Sequence, residues 1–172
     1  MMYAYLGLGA NLNDPVQQLN RAVQTLRAHP SIQSLRVSPY YQSTPMGPQD
    51  QPDYVNAVVA CETHLSPLAL LDLCQSIEQA QLRVRQRHWG ERTLDVDILS
   101  MGDLVMQTER LILPHPGIAQ RDFVVLPWRD LAPDYEIPML GRVSELPIRG
   151  DFSAHPMPSL YHQEISQQET LS

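Results

Sequence analysis

The chain has 172 residues and a formal net charge of −7. Its length suits one domain with enough core to fold without disulfides or a structural metal. The acidic balance argues against non-specific nucleic-acid binding, and no apolar run is long enough to span a membrane. All 12 basic side chains are arginines, which excludes a P-loop lysine and leaves guanidinium groups to bind any phosphate.

The N-terminus and the cysteines indicate the compartment. No basic region precedes the first apolar stretch, so we expect no signal peptide. Cys61 and Cys74 lie in apolar surroundings and lack metal-type spacing. They predict two buried free thiols, and together these features predict a cytoplasmic protein.

The first part of the chain predicts two strands around a helix. Side chains alternate over residues 2–10, where two glycines are expected to loosen the strand. The segment NLNDP then supplies a cap for an amphipathic helix over residues 15–28. A second strand is expected over residues 34–43, and Pro39 indicates an edge or a bulge there.

The middle of the chain alternates polar loops with buried segments. The loop at residues 44–54 contains three prolines and has a length that is more often functional than idle. A buried strand is expected over residues 54–63, and a helix capped at Ser66 runs to about residue 83. A polar segment over residues 84–92 leads into the next strand.

The last part of the chain predicts a hairpin and a helix. A strand over residues 93–101 is expected to turn at MGD and to return as LVMQT, and a final helix is expected over residues 121–131. This order of elements predicts an α+β sandwich around a mainly antiparallel sheet, of ferredoxin-like type. We expect one domain over residues 1–150 and a polar, mobile tail without catalytic duty over residues 151–172.

Two aspartates one residue apart are the strongest local sign of chemistry. On a strand, Asp95 and Asp97 point to the same face about 7 Å apart. The apolar residues beside them, Leu94, Val96 and Ile98, then face the core. Such a carboxylate pair suits Mg²⁺, and two such ions would bridge a triphosphate. The alternative is a solvated outer face of an edge strand, on which the aspartates pair with nearby arginines.

Arginines surround this carboxylate pair in the sequence. Four of them precede it in the ten-residue segment RVRQRHWGER, and Arg110, His115 and Arg121 follow it. Surface ion pairs contribute little stability, so a purely structural reason for so many charges is weak. Arginines and carboxylates together favour a site for a metal-bound polyphosphate.

Four segments in one order closely resemble a known enzyme family. They are YLGLGANL, GPQDQPDYVNA, HWGERTLDVDIL and ERLILPHP. From about residue 3 to residue 147 the chain resembles the 6-hydroxymethyl-7,8-dihydropterin pyrophosphokinases of folate synthesis. The resemblance implies transfer of a pyrophosphoryl group from ATP to the hydroxymethyl oxygen of the pterin, with release of AMP. It also implies a three-layer fold and two Mg²⁺ ions, with ATP as co-substrate.

The resemblance also implies roles for individual residues. Asp95 and Asp97 would hold both metal ions, and the catalytic arginines would be Arg83, Arg92 and Arg121. The residues expected to bind ATP are Gln75, Glu78, Arg92, Ile98, Arg110, His115 and Arg121. The residues expected to bind the pterin are Ser43, Thr44, Pro45, Met46, Gly47, Tyr54, Asn56, Trp89 and Phe123, with Trp89 and Phe123 on either side of the ring.

Other interpretations of these residues remain open. Trp89, Tyr54 and Asn56 also suit a role in packing or in bonding to a neighbouring backbone. One alternative function is a sugar or nucleotidyl transferase with a D-x-D metal site, and another is a catalytically silent ligand-binding module of ferredoxin-like fold. We expect a monomer that acts on small molecules, with no nucleic-acid or membrane partner.

Four positions depart from the family pattern. His88 stands where an arginine is usual, and Glu91 replaces a common proline. Ile112 replaces a threonine-like residue, and Pro116 stands where an aromatic residue is frequent. We expect these changes to affect ATP affinity and loop dynamics rather than the type of reaction.

Overall fold

The computed structural model describes residues 1–12, 14–44, 53–83, 94–150 and 154–157. Within these ranges the α-helices are α1 (Pro15–Ala28), α2 (Pro67–Arg83) and α3 (Asp122–Leu131). The strands are β1 (Met2–Ala10), β2 (Ile32–Val37), β3 (Tyr41–Ser43), β4 (Tyr54–Thr63), β5 (Asp95–Met101), β6 (Met106–Gln107), β7 (Ile112–Leu113), β8 (Glu136–Ile137), β9 (Gly141–Arg142) and β10 (His155–Pro156).

One antiparallel sheet organises the molecule. Its strands follow the order β10-β3-β4-β1-β5, and β2 also pairs with β4. β1 pairs along the whole length of β4, while β3 pairs with the first residues of β4 and β2 with its last. β4 is therefore flanked on both edges, which agrees with its almost continuous burial. The predicted, mainly antiparallel sheet is confirmed.

Helices cover both faces of this sheet. α1 and α2 pack on one face, in a core that includes Leu6 and Leu70. α3 packs on the other face, in a second core that includes Tyr5, Leu99 and Trp128. Successive residues of a strand point to opposite faces, so Tyr5 and Leu6 reach different cores. The three layers confirm the predicted ferredoxin-like α+β sandwich.

Local side chains determine where the first two helices begin. Asp14, whose φ of 61° is left-handed, accepts a hydrogen bond from the Gln17 N–H at 3.4 Å. Before α2, Ser66 Oγ accepts a hydrogen bond from the Ala69 N–H at 3.2 Å. Such caps satisfy N–H groups that have no partner inside the helix. Both helices begin where they were predicted to begin.

The prediction of one strand over residues 34–43 is wrong. The segment forms β2 and β3, separated at residues 38–40, and both strands pair with β4. Pro39 has no N–H with which to continue the ladder. The Ser38 hydroxyl replaces one hydrogen bond of the interrupted ladder, because it accepts the Val58 N–H at 2.9 Å.

The predicted return of the chain along β5 is also wrong. The turn forms, since the Leu104 N–H donates to the Met101 carbonyl at 3.0 Å. However, β6 pairs with β7 in a separate two-stranded sheet. Thr108 closes that hairpin by accepting the Leu111 N–H on its hydroxyl at 3.0 Å. The outer edge of β5 therefore does not pair with β6. Its Val96 N–H donates instead to the Glu78 carboxylate of α2.

Part of the predicted tail lies on the sheet. Residues 155–156 form β10, which pairs antiparallel with β3. The rest of the tail, 151–153 and 158–172, lies outside the described residues, so mobility there stays a prediction. The division into a domain over residues 1–150 and a tail likewise stays a prediction.

The two cysteines are buried and free, as predicted. Burial raises the pKa of the Cys61 thiol to about 11 and that of the Cys74 thiol to about 12, so both stay protonated and inert at neutral pH. In the described part of the chain, no helix has the length and apolar character needed to cross a bilayer.

Trp128 tests the contribution of the α3 layer to stability. Its fully buried indole lies 5.3 Å from the Tyr5 ring and 5.9 Å from the Tyr135 ring, measured between centroids. Trp128→Ala should lower the free energy of unfolding in urea by about 3–5 kcal/mol, because it leaves a cavity in the second core. The control Val105→Ala, at a side chain that is 56% exposed, should change it by less than about 0.5 kcal/mol. Equal effects of the two variants would contradict the layer assignment.

Candidate active site

Two glycines of β1 form the floor of a pocket on the face of the sheet that α3 covers. In the antiparallel register, Gly9 stands between Asn56 of β4 and Asp95 of β5. Gly7 stands opposite Asp97 of β5 in the same way. Without side chains on β1 at these positions, the polar side chains of β4 and β5 face a shared open space. The glycines were expected only to loosen the strand, so their role was missed.

The pocket above this floor has a volume of about 240 Å³. β5 supplies its carboxylates, β3 and β4 supply polar and aromatic side chains, and α3 with the turn before it supplies the opposite wall. The predicted site residues that line it are Ser43, Thr44, Tyr54, Asn56, Asp95, Asp97, His115, Arg121 and Phe123. Residues separated by up to 80 positions in the sequence therefore line one pocket.

Asn56 has an unsatisfied polar atom at this pocket. The side chain is buried, and its amide nitrogen donates to the Leu8 carbonyl at 3.5 Å. Its Oδ1 is buried and has no hydrogen-bond partner among the described residues. A buried acceptor without a partner costs free energy unless a ligand supplies a donor. Asn56 therefore favours a ligand with an N–H group directed at the pocket floor.

A second pocket lies at the outer edge of β5, beside α2. It has a volume of about 320 Å³ and is lined by predicted ATP-binding residues. These are Gln75, Glu78, Ile98, Arg110 and His115. Arg121 was also predicted to bind ATP, but it lines the first pocket. Asp97 and His115 line both pockets, so the two spaces adjoin at these two residues.

His115 is held where the two pockets adjoin by hydrogen bonds with nearby main-chain groups. Its N–H donates to the Leu99 carbonyl at 2.9 Å, and its Nδ1 accepts the Gly117 N–H at 3.0 Å. Burial lowers the pKa of His115 below its ordinary value; Asp97 raises that pKa, and Arg121 lowers it. The neutral imidazole with its proton on Nε2 is therefore the form that this site favours.

The position of the Arg121 side chain depends on the absence of a side chain at Gly117. A Cβ placed on Gly117 would lie 3.0 Å from Arg121 Nε and 3.1 Å from Cζ. Gly117 thus leaves the space that the guanidinium occupies against the turn before α3. Gly117 was not among the predicted site residues, since nothing in the local pattern PHPGIAQR indicates the approach of an arginine.

Glu78 holds the backbone between the two aspartates. Its Oε2 accepts a hydrogen bond from the Val96 N–H at 2.9 Å, on the outer edge of β5. The inner edge of the same strand pairs with β1 at Asp95 and Asp97. The strand that carries both carboxylates is therefore fixed from both edges. Glu78 was predicted only to lie near the nucleotide, so this contact was not foreseen.

Two side chains of α2 orient Arg110. Its guanidinium forms an ion pair with Asp72 at 2.5 Å and donates to Gln75 Oε1 at 3.5 Å. The two charged side chains are about half exposed, so the pair orients Arg110 rather than stabilising the fold. Arg110 is thereby placed on the wall of the second pocket.

Asp95 and Asp97 lie on the face predicted for them, with Val96 and Ile98 buried on the other. This face is not a flat solvated surface, because beyond the pocket α3 packs against it in the second core, which includes Leu99. Over the ranges that the structure describes, no group of three or more His, Cys, Asp and Glu side chains is arranged to hold a metal. A metal here would need oxygens from a ligand or water beside the two carboxylates.

Several predicted site residues lie outside the described residues. They are Pro45, Met46, Gly47, Trp89 and Arg92, together with the side chain of Arg83. Their roles stay predictions, as do the effects of His88 and Glu91. Ile112 is described and lines the second pocket.

Comparison with known proteins identifies the family. The model of the family described as 7,8-dihydro-6-hydroxymethylpterin-pyrophosphokinase matches residues 5–133. The chain belongs to this family. It is 48% identical over 146 residues to the 2-amino-4-hydroxy-6-hydroxymethyldihydropteridine pyrophosphokinase of Haemophilus influenzae, covering 85% of this chain and 91% of that one. It is 46% identical over 134 residues to the Pseudomonas aeruginosa protein of the same name, covering 78% and 83%.

A solved structure supports the fold of this pyrophosphokinase family member. The wild-type HPPK-DHPS protein of Plasmodium falciparum superposes with a TM-score of 0.66 at 14% identity. The match covers 99% of this chain, which spans 46% of that protein. At this identity the similarity supports the three-layer fold alone.

Gly9 tests the pocket floor. A Cβ at this position would lie 2.6 Å from Asn56 Nδ2, so Gly9→Ala must displace the buried amide. Binding of 6-hydroxymethyl-7,8-dihydropterin, measured by calorimetry with an ATP analogue present, should weaken by roughly tenfold, the value of one or two hydrogen bonds. Gly7→Ala is the comparison, because its Cβ would meet only the flexible Leu99 side chain at 3.3 Å. An unchanged affinity in Gly9→Ala would contradict the role given to Asn56.

Proposed function

We propose that this chain transfers the pyrophosphoryl group of ATP to the hydroxymethyl group of 6-hydroxymethyl-7,8-dihydropterin, in folate biosynthesis. The products are AMP and the pterin diphosphate. The observation that carries the proposal is that two pockets adjoin at Asp97 and His115 in a member of the pyrophosphokinase family. One pocket receives the acceptor and the other the nucleotide, so that the transferred group lies where they meet.

The first pocket suits the pterin. The ring presents amide and amino N–H groups along one edge, and the unpartnered Oδ1 of Asn56 is an acceptor for them. Phe123 and Tyr54 line the same space and offer aromatic surface to a flat ring. We infer that the hydroxymethyl group of the bound pterin points towards Asp95 and Asp97.

The second pocket suits ATP. Arg110, held by Asp72 and Gln75, offers a cation to the phosphates. Ile98 offers an apolar surface that suits the base. Because Asp97 lines both pockets, ATP in the second pocket would have its β-phosphate next to the first, as attack by the hydroxymethyl oxygen requires.

Asp95 and Asp97 would hold the Mg²⁺ ions. The donor set fits, because two carboxylates on one face offer the hard oxygen ligands that Mg²⁺ prefers and leave positions for phosphate oxygens and water. When bound, Mg²⁺ neutralises charge that develops on the phosphoryl oxygens. Glu78 contributes indirectly, since it fixes the strand between the two carboxylates.

The remaining work of this chain is positioning and electrostatic stabilisation. The reaction needs no nucleophilic side chain, because the pterin oxygen attacks directly. The guanidinium of Arg121, in the space left by Gly117, would offer positive charge to the transferred group. Neutral His115 would donate its Nε2 proton in a hydrogen bond to a phosphate oxygen, while Nδ1 accepts from Gly117.

The two alternative functions fit less well. A D-x-D sugar or nucleotidyl transferase calls for a domain with several parallel strands, whereas the pairings in the described sheet are antiparallel. A silent binding module would not need carboxylates, an arginine and a histidine at the junction of two pockets. A monomer and a cytoplasmic location stay predictions.

The identity of the nucleotide product tests the reaction. The chain incubated with ATP, Mg²⁺ and 6-hydroxymethyl-7,8-dihydropterin should form AMP in step with the loss of pterin, as followed by ion-exchange chromatography. Omitting the pterin is the control and should leave ATP intact. Formation of ADP would mean a simple kinase, and ATP consumption without pterin would mean a hydrolase.

Asp97→Ala tests the metal-binding pair. The variant should lose activity by at least about a hundredfold, because it removes a preorganised charge at the reacting phosphates. It should remain folded by circular dichroism, since removing one of two adjacent carboxylates relieves repulsion. Asp103→Ala, at the exposed turn after β5, is the matched control and should keep full activity. Wild-type turnover in Asp97→Ala would exclude the assignment.

A further inference from the structure

The C-terminal segment is fastened to the start of α3 by a buried carboxylate. Asp122, the first residue of α3, is 2% exposed. Its Oδ1 accepts the Arg149 N–H at 2.9 Å, and its Oδ2 accepts the Gly150 N–H at 2.5 Å. Charge-assisted bonds of this kind are strong, and a buried carboxylate without them would be costly. Gly150 has a φ of 75°, a left-handed conformation that favours glycine.

The same segment is fastened a second time at the edge of the sheet. His155 and Pro156 pair with Gln42 and Tyr41 of β3. The Met157 N–H then donates to the Tyr40 carbonyl at 2.7 Å, and the Met157 side chain packs against the first core. We call residues 149–150 and 154–157 the C-terminal strap.

Each end of the strap adjoins one wall of the acceptor pocket. Asp122 lies between Arg121 and Phe123, which line the pocket from α3. β3 ends at Ser43, which lines the pocket together with the next residue, Thr44. The two described parts of the strap thus contact elements that carry different walls of the pocket, in different layers of the fold and far apart in the sequence.

Another link joins the same two elements, but at the other end of the helix. The Tyr41 hydroxyl donates to the Asp130 carboxylate near the end of α3. Asp130 is eight residues after Asp122, about 12 Å further along the helix. The bond at Asp130 therefore anchors the far end of α3, while the strap anchors the end that faces the pocket.

We propose that the C-terminal strap sets the width of the acceptor pocket, with Asp122 as a positioning residue that holds it. The proposal rests on the proposed function, because it names the pterin as the ligand whose affinity depends on the strap. The second pocket is lined by α2, β5 and residues 108–116, whereas the backbone bonds of the strap described above go to Asp122, to Tyr40 and to β3. Loss of the strap's bonds should therefore weaken acceptor binding and leave ATP binding unchanged.

Two full-length variants test the two ends of the strap separately. Asp122→Asn keeps the side-chain size but turns one acceptor oxygen into an NH₂ group that faces a backbone N–H. Met157→Pro removes the N–H that binds Tyr40. Glu145→Gln, at an exposed carboxylate near the strap, is the matched control for loss of one charge.

Calorimetric titration measures the two dissociation constants that decide the proposal. In both variants the Kd of 6-hydroxymethyl-7,8-dihydropterin, measured with a nonhydrolysable ATP analogue present, should rise by about fivefold, the value of one hydrogen bond. The Kd of the ATP analogue alone should match that of Glu145→Gln. Hydrogen exchange at the Arg149 and Gly150 amides should be faster in Asp122→Asn, a change that is measured without any ligand.

The opposite results would overturn the proposal. An unchanged pterin Kd despite faster exchange would mean that the strap does not shape the pocket. A parallel loss of pterin and ATP binding with a lower unfolding temperature would mean a general structural role for Asp122. Because binding is read without turnover, a wild-type chain that binds pterin but forms no AMP would refute the proposed reaction and leave the strap to be decided by these Kd values.

Discussion

The antiparallel pairing of β1 between β4 and β5 is the constraint on which the site depends. It places Gly9 level with Asn56 and Asp95, and Gly7 level with Asp97. A side chain at Gly9 would collide with Asn56, so the bare strand is what lets a polar floor exist inside a three-layer fold. A slip of one residue would turn the carboxylates into the core of α1 and α2. The register is therefore as much a functional feature as a structural one.

β5 separates two spaces of different character. On the α3 side, an aromatic and amide-lined pocket suits a flat ring, and beside α2 a more polar pocket suits a charged ligand. Asp97 and His115 belong to both. An enzyme that must bring a pterin hydroxyl to the middle phosphate of ATP gains from this arrangement, since each substrate has its own pocket and the reacting groups meet at one strand.

Several contacts around the site join a side chain to a main-chain N–H group. Glu78 holds the peptide between the aspartates, Gly117 holds the ring of His115, and Asp122 holds the C-terminal strap. Each uses hydrogen bonds to main-chain N–H groups, whose positions follow from the fold. Such contacts keep the reacting groups in place before the substrates bind, and preorganisation of this kind reduces the cost of ordering the site.

The sequence by itself determined the features that depend on neighbours in the chain. The helix start at the segment NLNDP, the buried strand at 54–63 and the common face of Asp95 and Asp97 follow from local spacing, and the structure confirms them. The motif order was also sufficient to indicate the family, and nine of the residues that it singled out line one pocket in the structure.

Only the tertiary structure decided which strands and side chains meet. The pairing of both β2 and β3 with β4, the pairing of β6 with β7 and the bonds from Asp122 to the strap join segments whose partners no local pattern specifies. Gly9 shows the same limit, because a glycine in a strand has no side chain whose spacing could reveal its function. Local propensity acts over a few residues, whereas register and burial depend on chain segments that meet only in the folded sheet.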